Sequence, residues 1–127
     1  MKYKLFSSRV QLYIAYIFRS VYKVIVEGKI KMNINKLKIM ATEYNVEEVE
    51  QIDKYQRLLG QINYEEENIK IDKNISEKAK EETLIHEMVH GILEKLGYTE
   101  INDDEQKVQS ISSTLYLVLK ENNLISF

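Results

Sequence analysis

The chain has 127 residues, 44% of them hydrophobic and 30% charged, a composition that suits one globular domain around a single modest core. It contains no cysteine, which excludes disulfides, thiolate metal sites and cysteine nucleophiles, so any metal must be held by His, Asp or Glu. The formal net charge of −2 is unevenly spread: residues 1–31 carry seven Lys/Arg against one acid, or +6, leaving −8 for residues 32–127, and an acidic body argues against a nucleic-acid surface.

Residues 1–31 read as a basic N-terminal extension. Apolar Val10, Leu12, Ile14, Ile17, Phe18 and Val21 alternate with Tyr13, Tyr16 and Tyr22, but Arg19 and Lys23 break the run before it reaches the roughly 20 apolar residues of a membrane span. No small-residue cleavage site follows, which argues against a secretory signal. Glu27-Gly28 lies just ahead of Met32, and its purine-rich codons resemble a ribosome-binding site; translation of the native protein is therefore expected to start at Met32. A cytoplasmic setting with no membrane partner is expected.

Past Met32, the spacing of Ile34, Leu37, Ile39, Met40 and Tyr44 predicts a first amphipathic helix ending near Asn45. Residues 46–52 read as a short strand. Leu58–Ile62 and Asn68–Asp72 flank the polar tract Asn63–Glu67 and predict an antiparallel hairpin, with Glu65-Glu66-Glu67 as its solvated tip. Asn74 and Glu77 form a candidate capping box for a helix that runs to Leu96 and stops at Gly97. Ala79, Leu84, Met88, Ile92 and Leu96 should face the core. Asn102-Asp103-Asp104-Glu105 opens a last helix continuing through Val108, Ile111, Leu115, Leu119 and Asn122.

The capped helix contains His86-Glu87-Met88-Val89-His90, and these are the only two histidines in the chain. Four residues apart on a helix, they lie one turn above the other on one face and can grip one metal ion. Glu87 between them can take the proton of a metal-activated water as general base. Two imidazoles with a carboxylate suit Zn2+. Leu93 and Leu96 occupy the Gly and His positions of the elongated zinc motif, and Glu94 lies about 12 Å of helix rise from His86, too far for one rigid helix to bring all three together. The third ligand is therefore sought in Asp103, Asp104 and Glu105. Glu105 shares a polar stripe with Gln109 and Ser112 and is favoured, with Asp104 second. Tyr64, Tyr98 and Tyr116 read as core or surface aromatics.

Residues from about Leu58 to Asn122 resemble the small zincin-type metallopeptidases of phages and mobile elements, grouped with the ImmA/IrrE-like family. The matching pattern is Gly60, Ile69-Lys70-Ile71, Thr83-Leu84-Ile85-His86-Glu87-Met88-Val89-His90-Gly91-Ile92-Leu93, Leu96-Gly97-Tyr98, Asp104-Glu105 with Val108, and Leu115-Tyr116 through Asn122. The resemblance implies zinc held by His86, His90 and Glu105, catalysis by Glu87, and hydrolysis of a peptide bond in a peptide or protein, of which a repressor is one candidate. The implied fold is α+β: a minimal zincin-like domain with a small antiparallel sheet packed on the metal helix and a following helix. The sheet edge at Ile69–Asp72 is expected either to take the substrate as an added strand or to be an ordinary structural edge, with nothing in the residues to choose between the two. The alternative function is a catalytically inactive, zinc-binding regulatory module of a phage. No helix-turn-helix accompanies the site, so a regulatory role would need a separate repressor partner.

Overall fold

The computed structural model describes residues 35–125 and, ahead of them, Tyr16, Ile17 and Arg19. Among the described residues the fold is α+β. The strands are β1 (Lys36–Ile39), β2 (Thr42–Val49), β3 (Gly60–Asn63) and β4 (Asn68–Asp72). The helices are α1 (Glu77–Leu96), the single-turn α2 (Thr99–Asn102) and α3 (Glu105–Glu121).

The sheet order is β1-β2-β4-β3, with β1/β2 and β3/β4 antiparallel and β2/β4 parallel. This corrects the expectation of a purely antiparallel sheet. Hairpin β3/β4 forms as the sequence indicated, but β4 inserts beside β2 through Val46↔Ile69 and neighbouring pairs. The inserted strand buries Ile69 and Ile71 completely.

The expected first helix over 32–45 is also corrected; residues 36–49 are the hairpin β1/β2. Leu37 and Ile39 on β1, and Tyr44 and Val46 on β2, are buried while their neighbours are exposed, which is the two-residue period of a half-buried strand. The reversal between them is the two-residue turn Met40-Ala41, both with positive φ (47° and 77°), as a type I′ hairpin requires. It is made without Asn or Gly, so the sequence carries no turn signal there. The readings of residues 1–31 as an extension and of Met32 as the start lie largely outside the described residues. Within that stretch, Ile17 packs partly buried against the core.

One face of the sheet carries Leu37, Ile39, Tyr44, Val46, Ile69 and Ile71 against Leu84, Ile85, Met88 and Ile92 of α1. A second cluster, Val89, Leu93 and Val108, joins α1 to α3. Helix α1 starts at Ser76, whose side chain accepts from the Ala79 backbone N–H at 3.1 Å. Asn74, expected as the cap, instead donates to the Glu50 carboxylate at 2.9 Å. Gly97 ends the helix with φ 75°, its N–H reaching the Glu94 carbonyl. Helix α3 begins at Asp104, which caps Lys107, and buries Val108, Ser112, Tyr116 and Leu119. Ile111, one of the apolar positions along this helix, is 43% exposed, whereas the neighbouring Ser112 is buried. Tyr116 donates from the interior to Glu81 on α1 at 2.8 Å, which ties the two helices together. None of the described helices is long and apolar enough to cross a membrane.

Candidate metal centre and active site

His86, Glu87 and His90 project from the middle of α1, where the flanking Leu84, Ile85, Met88 and Val89 hold the helix against sheet and α3. The imidazole side chains are only 17% and 12% exposed, with ring centroids 4.9 Å apart. Helix α3 enters this face by its first turn. Its Glu105 carboxylate spans both rings, Oε2 3.2 Å from His86 Nε2 and Oε1 2.8 Å from His90 Nε2. His86, His90 and Glu105 thus offer one ligand atom each within 4.8 Å of one another, a group that could hold a metal ion. Glu105, the residue favoured from its polar stripe, is the acid that lies beside both rings. Asp104, the second choice, serves as the helix cap, and Asp103 and Glu94 line the surrounding cavity instead.

Each ring uses its other nitrogen away from this group. His90 Nδ1 lies 2.6 Å from Asn102 Oδ1 on α2, and His86 Nδ1 lies 3.3 Å from Ser112 Oγ on α3. Ser112 donates its own proton to the Gln109 carbonyl at 3.2 Å, so toward His86 it accepts. With Nδ1 donating outward, the two Nε2 lone pairs and a carboxylate converge. Such a donor set fits a divalent cation, with the outward bonds orienting the ligands. Protonation is a poor substitute at His86, whose pKa is lowered by burial and then by the neighbouring His90.

Glu87 is buried, 6% exposed, against β3. Burial first, and then the negative Glu105, push its carboxyl up to about 7; His90 and a hydrogen bond from the Ile62 backbone oppose this. Gly60 makes the close approach possible. A Cβ there would sit 2.4 Å from Thr83 Cγ2 and 3.2 Å from Glu87 Oε1.

The cavity around these groups measures about 900 Å³ and is walled by β3 with the residues before it, by α1, and by the α2–α3 junction. Strand β4 lies between β2 and β3, so Ile69–Asp72 is not an edge, which corrects that expectation; the edge strand bordering the cavity is β3. The Leu59 carbonyl accepts from Asp72 N at 2.8 Å and so faces β4. By the alternation of an antiparallel ladder, Gly60 and Ile62 turn their backbone groups outward to the cavity side, in keeping with the Ile62 hydrogen bond to Glu87.

Asn102 and Tyr64 are members of this site that no sequence signal marks. By sequence Asn102 is a helix opener and Tyr64 a core or surface aromatic, yet Asn102 is 8% exposed beside His90 and donates to the Tyr64 hydroxyl at 3.1 Å. Their convergence depends on the short helix α2, which has no periodicity to read. No family model, curated protein or solved structure matches the chain.

Proposed function

We propose that this chain is a zinc-dependent metallopeptidase of the zincin type, akin to the ImmA/IrrE-like proteins its motif resembles, and that it hydrolyses a peptide bond in a peptide or protein. The observation that carries the reading is the convergence of His86 Nε2, His90 Nε2 and the Glu105 carboxylate beside the buried carboxyl of Glu87. When bound, zinc supplies Lewis-acid polarisation of the scissile carbonyl and acidifies the attacking water.

The chain's own residues do the rest. Glu87 takes the proton of the attacking water on a carboxylate oxygen and delivers it to the leaving nitrogen. Its raised pKa, about 7, suits a group that must both accept and release a proton near neutrality. The outward backbone groups of β3, at Gly60 and the Ile62 carbonyl, hold the substrate as an added strand across the cavity. Asn102 and Ser112 fix the histidine rings.

The test combines metal analysis with a hydrolysis assay on a host or phage repressor and on a peptide library. Wild-type protein should carry about one zinc, His86→Ala should lose it, and Glu87→Gln should keep it while hydrolysis falls by orders of magnitude. Zinc retained by His86→Ala, or hydrolysis undiminished in Glu87→Gln, refutes the assignment. Zinc uptake with no hydrolysis of any substrate by the wild type favours a binding module.

A further inference from the structure

We propose that Tyr64 sets the tautomer of His90 by locking the Asn102 amide, and so keeps His90 Nε2 available as a ligand; its consequence for zinc rests on the metal reading above. Tyr64 follows directly on β3, and its hydroxyl lies 3.3 Å from the backbone carbonyl of His90. A carbonyl has no proton, so this bond uses the single proton of the hydroxyl. Toward Asn102 the hydroxyl then has only lone pairs to offer, and the amide must present Nδ2 to it, which it does at 3.1 Å.

With Nδ2 turned to Tyr64, Oδ1 faces His90 Nδ1 at 2.6 Å. An amide oxygen only accepts, so Nδ1 carries the ring proton, and the lone pair of the neutral imidazole sits on Nε2, the atom 2.8 Å from Glu105. Turning the amide over would spend the Tyr64 proton on Oδ1 and forfeit the bond to the His90 carbonyl. It would also set Nδ2 against Nδ1, driving the ring proton to Nε2, where it blocks ligation. At His86 the partner is a hydroxyl, Ser112 Oγ 3.3 Å from Nδ1, so no amide orientation is at stake there. Tyr64 belongs to neither core cluster, so removing its hydroxyl should leave the fold in place. It acts as a positioning residue, through Asn102.

The experiment uses the full chain as wild type, Tyr64→Phe and the double variant Tyr64→Phe/Asn102→Asp. Histidine ring-nitrogen NMR on metal-stripped protein reads the tautomer, competition against a chromophoric chelator reads zinc affinity, and thermal melting reads the fold. Wild type should show His90 protonated on Nδ1. Tyr64→Phe should show a population protonated on Nε2 and roughly tenfold or more weaker zinc binding, within the range expected of partners that orient a ligand. The double variant should recover both, because a carboxylate presents an acceptor to Nδ1 whichever way it turns. An unchanged His90 tautomer in Tyr64→Phe, or a zinc loss that Asp does not rescue, overturns the inference. So does a lowered melting temperature as the sole effect. If the wild type takes up no zinc, the metal reading fails, and the NMR readout still decides the tautomer claim.

Discussion

At the level of single residues, the site contains a buried acid with a consequence for stability that is separate from its proposed role in proton transfer. Glu87 in the metal-free fold titrates near 7 against an ordinary value of 4.5, because burial penalises its charged form. Its folded-state pKa is raised, so the folded protein binds this proton more tightly than the unfolded chain does. The resulting stabilisation is complete below about 4.5 and is lost as the pH climbs through about 7. The metal-stripped wild type should therefore lose stability relative to Glu87→Gln between pH 5 and pH 8, by up to about 3 kcal/mol. Denaturant titration of both proteins at the two pH values checks this, and parallel curves would show that Glu87 ionises without cost. The residues that hold the histidines were harder to foresee than the histidines themselves. A His-Glu-x-x-His helix is local, so its geometry follows from spacing alone. Asn102 reaches His90, and Ser112 reaches His86, only after α2 and α3 have folded back across α1.

Among the elements, the two hairpins make opposite demands on small residues. At Gly60 the strand passes so close to α1 that a methyl group would meet Thr83 Cγ2 at 2.4 Å. Gly60→Ala should destabilise by about 1–3 kcal/mol as β3 is pushed off the helix. Adding Thr83→Ser removes the offending methyl and keeps the hydroxyl that bonds the Ala79 carbonyl at 2.6 Å, so the double variant should regain most of the loss. Chemical denaturation of the single and double variants provides the measurement. At the β1/β2 turn the demand is unmet: Ala41 holds φ 77° with a side chain. Ala41→Gly relieves that strain at some cost in unfolded-chain entropy, and a net gain of up to about 1 kcal/mol in denaturant stability is expected. The same turn explains why β1 and β2 were not legible. Leu37 and Tyr44 are seven residues apart and fit a helical stripe as well as they fit two alternating strands, and Met40-Ala41 lacks the glycine or asparagine that would have decided between them. Hairpin β3/β4 was legible because a polar tract separates two apolar runs, and α1 because Gly97 marks its end.

For the molecule as a whole, strand order was the feature beyond local reading. Nothing within Asn68–Asp72 says that it pairs parallel to Thr42–Val49, more than twenty residues earlier. The long pairing nevertheless decides that β3, and not β4, is the sheet edge bordering the cavity. It also bears on how small this protein can be made. A fragment from Leu58 to Asn122 keeps His86, Glu87, His90, Glu105, Asn102 and Tyr64, yet it lacks the hairpin that covers the far side of β4. Ile69 and Ile71, both fully buried in the whole chain, would then lie beside an open row of backbone donors and acceptors, a template for another copy of the same strand. Such a fragment should self-associate, by light scattering or sedimentation, under conditions where the full chain does not. The β1/β2 hairpin supplies none of the groups lining the cavity; beyond its share of the core, it is expected to act as the cover that keeps one histidine-bearing half from polymerising on its neighbour.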